Sequence, residues 1–392
     1  MSKRILVNGA GRGHTNLVKT AKALGYEVVV TGMAGPCIPL ADKTYPDVHP
    51  GHPDEVLDVA MKEHVDGVII CCNDMGIQSV GRCNDVLHLS GVTEQAAKYS
   101  SDKLAMKQRL VECGVRTAKF ANLHNVNELH AAMNNLRMPV IIKATDLQGS
   151  RGICIVKDLA MLESSFSEVM SLTHKDYCIV EEFIEGTEFG AQAFVYNNEV
   201  LFVLPHGDET IMCKTAVPVG HYMPYEMEPK LAEDVNNQAT NAIKALGLNN
   251  CAVNIDFIER DGEAYIIELT GRGGANGLTD ITGRYFGINY YEMILAAALG
   301  EDTREVFSKR LQKPNAALSQ MIKFGQSGNV KSITLPNIEN VDITMFVDEG
   351  DEVREFTNCN DAIGEVFVKA ATLEDCNYLV KDAVSNIIIE LT

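Results

Sequence analysis

The stretch CAVNIDFIERDGEAYIIELTGR, residues 251–272, carries two acids at a spacing that suits a divalent cation. Over Cys251 to Glu259, alternation puts Val253, Ile255 and Phe257 on one face and Asn254 and Asp256 on the other. Over Ala264 to Thr270 it sets Tyr265, Ile267 and Leu269 against Glu268 and Thr270. Asp261-Gly262 marks a hairpin turn between the two strands. With a three-residue loop, Asp261 to Glu263, Asp256 falls directly across from Glu268 and Asn254 across from Thr270, whereas a two-residue loop splits the acids between faces. Like charges directly opposite on a sheet repel, so a positive group is expected between them. A few oxygen ligands suit Mg²⁺ held partly by a nucleotide's phosphates, although a solvated face with lysine or arginine neighbours would show the same pattern.

Two lysines stand where they could meet an anion. Lys103 lies in the first turn of a helix expected from Asp102 to Glu112, capped by Ser101 and closed by Gly114. A cation there opposes the helix dipole by a few tenths of a kcal/mol, a penalty that a bound anion reverses. Lys143 closes the strand Val140–Lys143 just before the loop TDLQGSRG, whose backbone N–H groups could cradle phosphate oxygens; a plain hairpin loop is the other reading. No GK[ST] follows, so this is not a Walker A loop.

These residues need strands and helices to hold them. The chain opens with a βαβ pattern: strand Arg4–Asn8, the turn GAGRGH, helix Thr15–Leu24 and strand Glu27–Thr31. Gly9, Gly11 and Gly13 give GxGxG with His14 where a dinucleotide fingerprint needs its third glycine, and no acid follows Val30, so NAD binding is disfavoured. A further strand, Gly67–Cys72, ends at Asn73-Asp74, where parallel sheets present ligand-contacting residues. YCIVEEFI, residues 177–184, reads as a buried strand whose free backbone groups could hold a purine, and another strand runs from Phe189 to Tyr196.

A length of 392 residues allows two or three domains. The net charge of −19 repels polyphosphate backbones, so nucleic acid is not an expected partner. No apolar run approaches the roughly 20 residues that span a bilayer, and no membrane association is expected. Eleven cysteines, an odd number without CxxC spacing, together with the absence of a signal-like apolar start, imply free thiols and a cytoplasmic location.

Taken together, SDKLAMKQRLVECGV, VIIKATDLQGSRGI, IVEEFIEGTEFG, GHYMPYE and NIDFIERDGEAYIIELTGRGG resemble, in order, the motifs of the ATP-grasp superfamily of ligases. The match covers about 100–300 and is nearest to the carboxylate-amine branch that includes L-amino acid ligases, with the biotin carboxylase-like enzymes more distant. The implied fold is an α/β and α+β multidomain chain. It comprises a Rossmann-like N-terminal domain (1–98), an ATP-grasp domain (99–309, with a lid at about 117–186) and a small α+β C-terminal domain (310–392).

The resemblance also assigns roles. Lys103 and Lys143 would bind ATP phosphates under a mobile loop containing Gly149, Ser150 and Gly152, with Lys143 also serving catalysis. Glu181 and Glu182 would flank the adenine strand, Phe183 and Ile184 would supply backbone contacts, and Glu188 would bind ribose. Asp256 and Glu268 match the Mg²⁺ (or Mn²⁺) ligands. Thr270 replaces the family's usual asparagine, which implies a second ion held less firmly or through water. Arg272 matches an arginine that contacts the reacting acyl group or phosphate. Gly273 and Gly274 offer N–H groups to a carboxylate or acyl phosphate. Arg284 either anchors a substrate carboxylate or caps helix packing, and His221 either borders the acceptor site or is a structural histidine.

The implied reaction activates a carboxylate as an acyl phosphate and lets an amine, in an amino acid or related substrate, displace phosphate. A carboxylase or formyltransferase using bicarbonate or formate, and a nucleotide sensor without turnover, are the alternatives. Related enzymes are often dimers, so the resemblance also raises a homodimer.

Overall fold

The computed structural model describes residues 2–147, 151–213 and 216–392, so Gly149 and Ser150 of the expected closing loop lie outside the described residues. Strands β1 (Arg4–Asn8), β2 (Glu27–Thr31), β3 (Lys43–Tyr45) and β4 (Gly67–Ile69) form a parallel sheet in the order β3-β2-β1-β4. Helices α1 (Thr15–Ala23) and α2 (Pro53–Glu63) connect them, and α3 (Ile77–Leu87) follows. Ile5, Leu6, Val7 and Val28 to Val30 are wholly buried, as a sheet covered on both faces requires.

The GAGRGH turn is closed from within. Gly9 has φ +136°, and a Cβ there would meet the His14 ring at 2.7 Å. His14 is buried, accepts the Cys71 N–H on Nε2 at 3.2 Å, and is pushed by burial down to about 4, so its ring is neutral at pH 7.

Helix α4 (Glu94–Ser101) leads straight into α5 (Lys103–Glu112). The expected cap, Ser101, belongs instead to the end of α4, where its hydroxyl donates to the Ala97 carbonyl at 2.8 Å. Asp102 is the cap of α5: its Oδ1 accepts the N–H groups of Leu104 (2.9 Å) and Ala105 (3.1 Å). Its Oδ2 accepts Lys175 Nζ (2.8 Å) and the Tyr177 hydroxyl (2.6 Å), joining α5 to the small sheet that comes next.

That sheet is antiparallel, built from β5 (Phe120–Leu123), β6 (Val140–Lys143), β7 (Ile153–Val156) and β8 (Cys178–Glu182) in the order β5-β8-β6-β7. With α6 (Val126–Ala132) and α7 (Leu162–Leu172) it buries a core of its own around Leu129, Ile142, Phe166 and Val180.

The largest sheet has eight strands. From the middle of the chain come β9 (Thr187–Tyr196), β10 (Glu199–Met212) and β11 (Ala216–Met223), then, after α8 (Pro229–Leu246), β12 (Cys251–Arg260) and β13 (Glu263–Thr270). Helices α9 (Leu278–Phe286), α10 (Tyr290–Ala298) and α11 (Thr303–Ser308) follow. The last segment holds β14 (Ala316–Ile322), β15 (Gly328–Thr334), β16 (Val341–Met345), β17 (Glu352–Val353), β18 (Gly364–Ala370), α12 (Leu373–Asn386) and β19 (Ile388–Leu391). The order is β13-β12-β9-β10-β11-β14-β18-β16, so strands of the C-terminal segment continue the central sheet, while β17-β15-β19 pair separately.

One face of the central sheet is apolar and covered by α8. Val253, Ile255 and Phe257 pack there with Ala239 and Ile243, and the Phe189 and Phe257 rings stack at 5.2 Å. Each such buried side chain contributes roughly 1.5–3 kcal/mol. The opposite face is therefore free to carry polar groups. Among the described residues no helix is long and apolar enough to cross a membrane.

Candidate active site

The hairpin β12–β13 brings the two acids together by a route different from the expected one. Arg260 pairs with Glu263, so the loop is two residues, Asp261 (φ +56°) and Gly262 (φ +75°), rather than three. The register then shifts by one: Phe257 pairs with Ile266 but Asp256 with Glu268 and Asn254 with Thr270. Ile267 is the extra residue, a β-bulge that restores the pairing the short turn would have lost.

Asp256 and Glu268 thus face each other on the polar side of the sheet. Asp256 keeps contact with solvent at the mouth of the cleft, yet it is closely surrounded by protein. That desolvation, then the Glu268 and Asp208 carboxylates, push it up to about 7. The expected positive neighbour is Lys103, whose Nζ lies 3.2 Å from Glu268 Oε1 and donates to the Leu147 carbonyl at 3.0 Å. Two facing carboxylates, one carrying an elevated pKa, fit an oxygen-ligated divalent cation.

Opposite stands a buried cluster that the sequence reading missed in part. Glu181 on β8 lies between Lys143 (3.3 Å) and Lys107 (3.1 Å), and Lys107 also donates to the Thr117 hydroxyl at 2.8 Å. Burial opposes the Glu181 charge, but Lys107 and Lys143 outweigh it and its pKa is lowered. Lys107 sits one helical turn after Lys103, a spacing that could have pointed to it.

Glu181, on the strand that leads to Phe183 and Ile184, is paired with these lysines. Glu182 accepts the Arg137 N–H at 3.1 Å, and the Phe183 N–H is taken by the Pro139 carbonyl at 3.0 Å. The N–H of Ile184 has no acceptor among the described residues. Ile184 packs with Ala118 and Ile258, flanked by Tyr265 and Ile267, an apolar patch suited to a purine. Glu188 is exposed and pairs with Ile258, on the same face as Asp256. Gly152 has φ +64°, and a Cβ there would crowd Ala144 and Leu147 at 2.9 Å.

Behind the acids the remaining residues hold one another. Asp74 takes Arg272 in a two-pronged pair (Nε–Oδ1 2.6 Å, Nη2–Oδ2 2.8 Å) and accepts the Thr270 hydroxyl at 3.0 Å. Burial works against the Asp74 charge, Arg272 outweighs it, and its pKa is lowered. Thr270 therefore has its hydroxyl directed at Asp74. The Gly274 N–H donates to Gln192 Oε1 at 3.0 Å, so it is not free for a substrate as expected. Gln192 in turn donates to Asn254 Oδ1 (2.6 Å), and Asn254 to Asp256 Oδ1 (3.2 Å). Gly273 is packed so that a Cβ would meet Thr279 at 2.7 Å and Cys71 at 3.0 Å.

The same face continues toward the C-terminal strands. His206 pairs with Gly190 and Gly190 with Asp256; Asp208 pairs with His221, His221 with Ser319, and Ser319 with Phe367. His221 is buried, with Nδ1 2.5 Å from Asp208 Oδ1. Arg284 pairs with Asp342 at 2.7 Å over the Phe367 ring, an arrangement foreseen by neither of its two readings. The side chain of Glu365, two residues before Phe367 on the same strand, has no hydrogen-bond partner among the described residues, and burial followed by Asp280 pushes it up to about 8. Arg12, stacked 4.2 Å over Phe346, faces it without forming an ion pair.

Residues 101–213 match the family model described as "Phosphoribosylglycinamide synthetase, ATP-grasp (A) domain". The fold is similar to the crystal structure of phosphoribosylglycinamide synthetase from Anaerococcus prevotii, with 45% identity, all of both chains covered and a TM-score of 0.89. It is also similar to the biotin carboxylase domain of Hydrogenobacter thermophilus 2-oxoglutarate carboxylase, a dimer solved with MgADP and bicarbonate (17% identity, TM-score 0.82, 100% of this chain and 91% of that one). Alanine–anticapsin ligase from Bacillus subtilis is 24% identical over 314 residues, 72% of this chain, and the match spans 65% of that relative's length. The motifs, the opposed acids, the lysine cluster and the full-length likeness converge: this chain belongs to the ATP-grasp family, as a carbon–nitrogen bond-forming ligase of the carboxylate-amine branch.

Proposed function

We infer that the protein activates a carboxylate with the γ-phosphate of ATP and joins it to an amine, releasing ADP and phosphate. The observation that carries this reading is the opposed pair Asp256–Glu268, with Lys103 at its edge. Asp256 and Glu268 would hold Mg²⁺, which when bound neutralises phosphate oxygens. Lys103 and Lys143 hold the phosphates, and Lys107 with Glu181 fixes the Lys143 ammonium from behind. The patch of Ala118, Ile184 and Ile258 receives the adenine, the Ile184 N–H is its free donor, and Glu188 meets the ribose.

Phosphoryl transfer is governed by positioning and by neutralising charge on the equatorial oxygens, tasks that fixed cations perform without reorganising. Arg272, locked by Asp74 and by its Nη1 bond to the Gly273 carbonyl, supports the oxyanion of the second step with its positive charge. The acceptor binds further along the same sheet face, where His221, Arg284, Arg12 and Glu365 stand. An uncompensated carboxylate and a nearby arginine suit the ammonium and carboxylate of an amino acid.

The test is ADP release by the purified protein with MgATP and a panel of amino acids and small carboxylates, singly and in pairs, Glu268→Gln serving as the blank. The panel includes glycine, bicarbonate, formate and the components of phosphoribosylglycinamide. Release that needs both a carboxylate and an amine is expected. Release with bicarbonate or formate alone would move the reading to carboxylation or formylation, and nucleotide binding without release under any pairing would leave a sensor.

A further inference from the structure

Two strands away from the acid pair, three side chains converge on one point. His206 Nδ1 lies 3.0 Å and His221 Nδ1 2.5 Å from the same atom, Asp208 Oδ1. One donor atom from each of the three residues falls within 4.8 Å of the others. Oδ2 of Asp208 takes no donor among the described residues.

The two rings are 2% and 5% exposed, and each Nε2 is buried without a partner among the described residues. Nδ1 is the nitrogen of each ring that faces Asp208. The backbone makes room for the arrangement: Gly190 lies under His206, where a Cβ would run into the imidazole. Gly207, between His206 and Asp208, leaves its place to the Tyr222 ring. Asp208, with its side chain 30% exposed, gives an ion a route in from the cleft.

We propose that His206, Asp208 and His221 form a second cation site, selective for a borderline transition-metal ion of the Zn²⁺ or Co²⁺ type and distinct from the Asp256–Glu268 site. Two imidazole nitrogens and one carboxylate oxygen are a donor set that Mg²⁺ avoids and zinc-like ions favour. Bonds of about 2.0–2.2 Å around a tetrahedral ion separate its ligands by roughly 3.3 Å, so the two histidine–Asp208 contacts need to spread by less than about 1 Å. Three protein ligands leave a coordination position open, as in sites where the ion also holds water or a substrate group. Only Gly190 stands between His206 and Asp256 across the sheet, which puts their backbones about 10 Å apart. The two cations would share one cleft with different chemistry, and the proposal holds whichever carboxylate and amine the ligase uses.

The experiment is Co²⁺ binding to the full chain, by equilibrium dialysis and visible absorption, with excess Mg²⁺ and ADP present to occupy the other site. The wild-type chain and Glu268→Gln are expected to bind one equivalent of Co²⁺ with the d–d bands of a nitrogen-containing site. His206→Ala and His221→Ala are each expected to weaken that binding at least tenfold. Asp208→Asn, which preserves shape, carries the test if a histidine variant does not fold, and ADP affinity in the same samples reports folding. Absence of Co²⁺ bands in the wild-type chain would overturn the proposal. So would binding that disappears in Glu268→Gln but survives in His221→Ala, since the ion would then sit on the acid pair and the histidines would be a hydrogen-bonded trio.

Discussion

The two halves of the candidate site solve the problem of confined charge in opposite ways. On the small sheet, Lys107 and Lys143 come with their own counter-ion, Glu181, buried between them. On the central sheet, Asp256 and Glu268 oppose each other with Lys103 at one edge, and burial followed by the Glu268 charge pushes Asp256 up to about 7. The first half is complete without ligand. The second becomes complete when a cation arrives, so ligand binding should stabilise the acid pair far more than the lysine cluster.

The sharpest test of that contrast removes a partner from the balanced side. Lys107→Ala leaves Glu181 buried with one lysine, and a loss of about 3–5 kcal/mol in urea unfolding is expected. Replacing Lys107 and Glu181 together by Met and Leu should recover much of it. An equal loss in both variants would show that packing, not charge, holds the cluster.

On the unbalanced side the effect should fall on chemistry instead. Glu268→Gln is expected to keep the fold and to lower ADP release by about 10²-fold or more. Without Mg²⁺ its thermal midpoint should equal or exceed that of the wild-type chain, because a like-charge contact is relieved. A clear drop in midpoint would mean that Lys103 alone already balances the pair.

A third test uses pH. Asp256 must lose its proton to bind a cation, so Mg²⁺ affinity should fall about tenfold per unit below pH 7 and level off above it. Stability of the metal-free protein should move the other way. A carboxyl raised above its unfolded value binds more protons when folded, so its contribution is present at low pH and is lost as pH rises through 7. Asp256→Asn should flatten both trends relative to the wild-type chain.

The smallest expected change lies at the far end of the face. Glu365→Gln should raise KM for the amine substrate several-fold with little change in kcat, and an unaltered KM would remove Glu365 from the acceptor pocket.

Much of the site was legible in the sequence where a single element carries it. The period-two alternation around Asp256 and Glu268, and the placement of Lys143 at a strand end, needed no tertiary information. Lys103 was visible in the first turn of α5, although the cap beside it was misjudged because Ser101 is absorbed by the preceding helix. What escaped were pairings between distant segments. Asp74 with Arg272, Glu181 with Lys107, and Asp208 with His206 and His221 depend on which strands and helices become neighbours. The continuation of the central sheet into β14, β18 and β16 was hidden for the same reason, since strand order is not written in local periodicity.

The bulge at Ile267 has a further effect. In a regular strand, adjacent side chains must look in opposite directions, so an apolar contact for a base and an acid for an ion cannot stand next to each other. The extra residue suspends that rule for one step. Ile267 joins the patch with Ile184 and Ile258 while Glu268, its immediate neighbour, turns to Asp256. Parity, rather than composition, is then what the hairpin protects. Excision of Ile267 would leave the acids opposed and thin the apolar patch, whereas adding or removing one residue in the turn would send Glu268 to the far side of the sheet.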